Sequence, residues 1–161
     1  MMEYLSIDSS VIIIRFFQNL DIISKFRRNF TIIASLRKEE EKHKSCRRLI
    51  ERVKNREFIA LEPYTVLVEV TAAMRRRTGS EMLSGRIKKD LESIDSILFF
   101  DLDRIRADDA ARISAKIGVR GMDAVVIQIA AENKCALVTL DDEMSKRSKS
   151  IIEIKSVDDF I

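Results

Sequence analysis

The chain has 161 residues, 46% of them hydrophobic and 34% charged, with a formal net charge of +3. That length and apolar fraction suit one compact domain, residues 1–161, and a single Pro with four Gly marks no linker to a second. One histidine, His43, excludes chemistry that needs two imidazoles, and the two cysteines, Cys46 and Cys135, argue for reduced packing residues over a zinc cluster or a disulfide framework.

Tyr4 to Ile7 is a short apolar run that ends at Asp8 and predicts a first buried strand. Ser9 and Ser10 suit the cap of a helix from Val11 to about Asn19, apolar nearly all the way round. Residues 21–38 follow no clear period: Phe26, Phe30, Ile32, Ile33 and Leu36 are scattered among cations. Glu39 to Asn55 reads as a helix, with Cys46, Leu49, Ile50 and Val53 at helical spacing. Phe58 to Leu61 is a second strand. Pro63 then opens a helix that runs to about Arg77 and stops at Gly79.

Glu81 to Ile94 is a further helix and Ile97 to Phe100 a third strand. Helices follow from Arg104 to Ile117, closed by Gly118, and from Gly121 to Asn133. Ala136 to Thr139 and Ile151 to Ile154 are the last strands, and 157–161 make a final turn. Alternating strands and helices predict an α/β domain whose parallel sheet is covered on both faces. The glycines at 79, 85, 118 and 121 form neither a phosphate-cradling loop nor a dinucleotide fingerprint.

No leader with a basic start, apolar centre and cleavage site is visible. The longest apolar run, Val11–Ile14 with Phe16 and Phe17, is far too short to cross a bilayer. Cytoplasm is therefore the expected location, with no membrane partner. Cations cluster at Arg27-Arg28, Arg47-Arg48, Arg75-Arg76-Arg77, Lys88-Lys89 and Lys146-Arg147. Each cluster offers phosphate contacts, and each also reads as a solvated helix face or end.

The acids are the informative residues. In an open parallel sheet, ligands bind beyond the carboxyl ends of the strands. Asp8 and Asp141 each follow such an end, and Asp123 lies in the first turn of a helix. Glu69 sits mid-helix among Val66, Leu67, Val70 and Ala73, with no cation three or four residues away in that helix. Burying a glutamate on so apolar a face is costly without a neutralising partner, and a metal ion or a catalytic role would account for it. Each acid has a plainer reading. Asp8 and Asp141 could cap helices, Asp123 could be a favourable first-turn anion, and Glu69 could face water.

The segments Ile7-Asp8-Ser9-Ser10-Val11-Ile12, Val68-Glu69-Val70, Arg120-Gly121-Met122-Asp123-Ala124 and Leu137-Val138-Thr139-Leu140-Asp141, taken in order, resemble the PIN-domain nucleases. Among these the chain looks most like the VapC-type toxins of prokaryotic toxin–antitoxin pairs. The resemblance implies a three-layer α/β/α sandwich with a central parallel sheet. It also implies a metal-dependent endoribonuclease, a paired small antitoxin and a homodimer. Asp8, Glu69, Asp123 and Asp141 match the family's four acids in turn. Ser10 falls at a small polar position two after the first acid, and Thr139 at a hydroxyl position two before the last. Two departures stand out: residues 21–38 are longer than the family pattern, and Asp142 beside Asp141 is a substitute candidate for the fourth ligand.

Carboxylates suit Mg2+, with Mn2+ accepting the same donors. The expectation is that Asp8 and Asp123 hold the main ion and that Glu69 and Asp141 shape the site, directly or through water. Ser10 and Thr139 would orient the ligands, or serve only as cap and strand-end hydrogen bonds. The substrate expected is RNA. A different reading keeps the fold for an RNA-binding or RNA-processing assembly module without the toxin role. A phosphoacceptor receiver domain fits poorly, because Asp8 has no second acid beside it.

Overall fold

Five parallel strands form one sheet, within the residues that the computed structural model describes: 4–7, as backbone, and 41–160. The strands are β1 (Tyr4–Ile7), β2 (Ile59–Pro63), β3 (Ile97–Phe100), β4 (Ala136–Val138) and β5 (Ile154–Lys155), in the order β3-β2-β1-β4-β5. The helices described are α1 (Glu41–Lys54), α2 (Thr65–Thr78), α3 (Glu81–Glu92), α4 (Arg104–Ile117), α5 (Gly121–Glu132) and α6 (Asp142–Ser148), followed by a 3-10 turn (Val157–Phe160). With helices on both faces of the sheet, this is the expected three-layer α/β/α arrangement. The predicted helix at 11–19 and the irregular stretch 21–38 lie outside the described residues.

Burial follows from the pattern of each element. In β2, Ala60, Leu61 and Glu62 are all nearly inaccessible, as a central parallel strand covered on both faces requires. Ala60 belongs to the main core with Leu49, Ile50 and Val53 of α1 and Val66, Val70 and Met74 of α2. Leu61 packs instead with Ile129, Ala130 and Cys135 in a smaller cluster, as the two-residue period of a strand dictates. Every residue of α5 from Ala124 to Ile129 and on to Ala130 is buried. A helix apolar all round must be enclosed, and α5 packs on β1, β2, β4 and α4. Burying side chains of this size stabilises by about 1.5–3 kcal/mol each.

Three boundaries differ from expectation. Pro63 ends β2, and α2 begins at Thr65. The missing N–H of proline is harmless at a strand end, and Tyr64 takes over the ladder by donating to the Phe100 carbonyl at 2.9 Å. The last strand is Ile154–Lys155, not 151–154, because the Ile151 and Ile152 amides turn back to the Ser148 carbonyl, at 2.8 and 3.1 Å. The helix from Glu81 stops at Glu92, where Ser93 donates its N–H back to Lys89. The glycine stops hold: Gly79 (φ 65°) and Gly118 (φ 69°) close α2 and α4 in the left-handed conformation.

Candidate active site

Ile7, the last residue of β1, pairs with Val138, the last of β4. From β1 the chain fills one side of the sheet with β2 and β3, then the other with β4 and β5. The order therefore reverses between β1 and β4, and the crevice beyond these two strand ends is the place where such sheets bind ligands. Asp8 follows Ile7 directly in sequence. Asp8 and Ser10 lie outside the described residues.

On the β4 side, Thr139 is buried. Its hydroxyl accepts the Asp141 N–H at 3.0 Å and donates to the sulfur of Met144 at 3.7 Å. Asp141 is half-buried and caps α6, its Oδ1 accepting from the amides of Glu143 at 2.8 Å and Met144 at 2.9 Å. The capping role read from the sequence is thus present. It engages Oδ1, and Oδ2 is the second donor oxygen of the same carboxylate. Asp142 is exposed in the first turn of α6.

Glu69 lies in the second turn of α2, one turn residue after β2. It is half-buried, flanked by Val66 and Val70, both wholly inaccessible, and by Val68, which is exposed. Asp123 is the third residue of α5 and also half-buried. A carboxylate in that first turn is favoured by the helix dipole.

α6 is fastened to the end of α4. Arg147 of α6 donates to the Ile117 carbonyl at the end of α4, at 3.0 Å, and is paired with Glu143 at 2.9 Å. Ser114 donates to the Val119 carbonyl at 2.8 Å, holding the three-residue loop that leads into α5. The helix capped by Asp141 is therefore held to the end of α4, and the loop that follows α4 leads into the helix carrying Asp123. The same bonds occupy one of the expected phosphate-binding cations. Lys88 is likewise paired, with Glu92 at 2.6 Å.

One carboxylate at this sheet edge escaped the sequence reading. Glu62, next to last in β2, is wholly inaccessible. It follows Leu61, the partner of Ser6 in β1. The available signal was a charged residue inside an apolar strand, which is costly to bury without a specific environment.

Among the described residues, no group of three or more His, Cys, Asp or Glu side chains stands close enough to hold a metal ion. The donor chemistry of Glu69, Asp123 and Asp141 is nevertheless that of a hard cation: oxygen only, and anionic. Among the described residues, no helix is long and apolar enough to cross a membrane.

A parallel α/β/α domain whose strand order reverses between β1 and β4 defines a class, and sequence comparison defines the family. Residues 31–150 match the PIN domain, and the chain belongs to the PIN domain family. The match includes Glu69, Asp123 and Asp141 and begins after Asp8. Proteins of this family are in general nucleases. No curated protein matches the chain in sequence.

Solved structures share the fold at low identity. PAE2754 from Pyrobaculum aerophilum is 17% identical with a TM-score of 0.59, over 98% of this chain and 91% of that one. VapBC2 from Rickettsia felis, bound to a DNA fragment from their promoter, is 10% identical with a TM-score of 0.61, over 96% and 98%. DNA-bound VapBC from Salmonella typhimurium is 14% identical with a TM-score of 0.60, over 98% and 99%.

Proposed function

We propose that this chain is a metal-dependent endoribonuclease, built as one domain over residues 1–161, and the toxin of a toxin–antitoxin pair. The observation that carries the reading is the pairing of Ile7 with Val138 at the switch point. Ile7, which precedes Asp8 in sequence, and Val138, which precedes the Thr139–Asp141 turn, end neighbouring strands in a chain of the PIN family. Asp8 and Asp123 hold Mg2+ or Mn2+, and Glu69 and Asp141 complete or shape the site. When bound, the ion supplies Lewis-acid activation of water and neutralises charge for in-line attack on an RNA phosphodiester.

The protein's own groups do the positioning. Thr139 fixes the backbone of Asp141, and the α6 amides hold Oδ1, which leaves Oδ2 as the oxygen that would take the ion. Ser10, two residues after Asp8 in the sequence, is assigned a ligand-orienting part as well. Asp142, being exposed, is the weaker candidate for the fourth ligand. Arg76 and Arg120 are exposed and available to phosphates. The VapBC neighbours support a small antitoxin as partner. A homodimer and a cytoplasmic location complete the proposal.

The test mixes purified protein with RNA, with and without Mg2+ or Mn2+, beside Asp8→Asn and Asp123→Asn. Cleavage that needs the ion and fails in both variants is expected. Equal cleavage by the variants, or full activity in excess chelator, would sink the reading. RNA bound in chelator but left uncut when metal returns would favour an RNA-binding or assembly module instead.

A further inference from the structure

A cavity of about 420 Å3 opens between the start of α4 and the end of α5, lined by Asp103, Ile105, Arg106, Asp109, Gln128 and Glu132. Arg106 is already engaged there. Its Nε and Nη2 donate to the two oxygens of Glu132, each at 2.9 Å, and its Nη1 donates to the Asp101 carbonyl at 3.0 Å. The Arg106 hydrogen bond, helped by one from Gln128, holds the Glu132 carboxyl below its ordinary range, so this pair is charged at neutral pH.

Gln128 decides what the cavity can accept. It is 4% exposed, and its Nε2 donates to Glu132 at 2.8 Å. The carboxylate fixes which way the amide points, since the reverse orientation would set two acceptors against each other. Oε1 is therefore turned away from Glu132, and it is buried without a hydrogen-bond partner. Leaving a buried acceptor unmade is costly, and what it lacks is an N–H or O–H donor. Around it the wall carries three carboxylates against one guanidinium. Asp103 uses Oδ1 to cap α4 and sets Oδ2 3.6 Å from Nη1 of Arg106, and Asp109 pairs with the exposed Arg112. Ile105 and Leu102 stand exposed at the same end of α4, 73% and 39%, and give the entrance an apolar side. The ligand must combine positive charge, several N–H donors and an aliphatic stem.

We infer that this cavity binds an alkyl guanidinium or ammonium group, with Gln128 Oε1 accepting its N–H and Asp103 and Asp109 balancing its charge. The group can arrive as an arginine or lysine side chain on a peptide or as a free polyamine-like cation; the chemistry is common to both. The lining includes none of Asp8, Glu69, Asp123 and Asp141, and the inference does not rest on their proposed activity.

Isothermal titration of the full chain with agmatine, and with a capped tripeptide centred on arginine, tests this. Saturable 1:1 binding of either probe is expected. Equal affinities point to a free cation, and preference for the peptide points to a presented side chain. Gln128→Met should weaken the better probe about tenfold, and Asp103→Asn, which keeps the helix cap, should weaken it too. A melting curve on each variant separates lost binding from lost fold, and Asp103→Asn decides alone if Gln128→Met does not fold. Absence of binding at millimolar probe, or wild-type affinity in the folded variants, would overturn the inference and leave Gln128 to water.

Discussion

The amide N–H of Asp141, the cap of α6, donates to the buried hydroxyl of Thr139, the residue after β4, at 3.0 Å. This single bond aims the Asp141 backbone so that its carboxylate meets the free amides of Glu143 and Met144. Strand end, helix cap and candidate ligand are thus one unit. Thr139→Val should lower stability by about 1 kcal/mol and cleavage by about 10- to 100-fold, as loss of a ligand-orienting bond does. Thr139→Ser should keep most of both. Melting and single-turnover cleavage measure the two effects, and unchanged cleavage by the valine variant would remove the hydroxyl from the site.

Asp141 has one observed role, as the cap of α6, and one proposed role, as a metal ligand. Asparagine is as good a helix cap as aspartate, whereas alanine costs about 0.5–2 kcal/mol. Asp141→Asn should therefore melt near the wild type yet lose cleavage and metal affinity. Asp141→Ala should lose stability as well. If asparagine preserves activity, the residue is a cap only and Asp142 becomes the ligand to test.

Gly118 tests the brace between α4, α5 and α6. Its φ of 69° is strained for any residue with a Cβ, and that atom would stand 2.8 Å from Nη1 of Arg147. Gly118→Ala should cost about 1–2 kcal/mol from the left-handed backbone alone, and it should displace Arg147 from the Ile117 carbonyl. At Gly79 the same change meets only Arg75 at 4.0 Å, so just the backbone cost applies. Cleavage should fall in Gly118→Ala and persist in Gly79→Ala, because only the first disturbs the loop before Asp123.

The Arg106–Glu132 pair makes a pH prediction. The hydrogen bond from Arg106 lowers the folded Glu132 pKa below its unfolded value. Its stabilisation is complete above the ordinary glutamate range, about pH 4.3, and is lost as pH falls through the lower folded value. The Glu132 side chain is 38% exposed, so the effect should stay within about 1 kcal/mol. Glu132→Gln should flatten the acid limb of a stability–pH curve and leave its slope near neutrality unchanged.

Much of the fold was legible because its signals are local. Apolar runs marked β1, β3 and β4, and the stops Gly79 and Gly118 act within one helical turn. The exceptions have equally local causes that compete in sequence. Pro63 is compatible with a strand end and with a first helical turn, and the Phe100 carbonyl chose between them through Tyr64. Ile151 and Ile152 look like strand residues until Ser148 claims their amides.

For the candidate site, sequence alone determined the kind of donor: aspartate, glutamate and hydroxyl, with almost no imidazole or thiol to compete. It also set Thr139 two residues before Asp141, a spacing that one hydrogen bond realises. Only the tertiary structure decided that Ile7 and Val138 are neighbours, that Glu62 is buried in the same sheet, and that Arg147 braces two helices 30 residues apart in contact. Pairing across a sheet depends on strand order, which no local propensity encodes. The ends of β1 and β4, which precede Asp8 and Asp141 in sequence, are neighbours only because the parallel sheet reverses its order there.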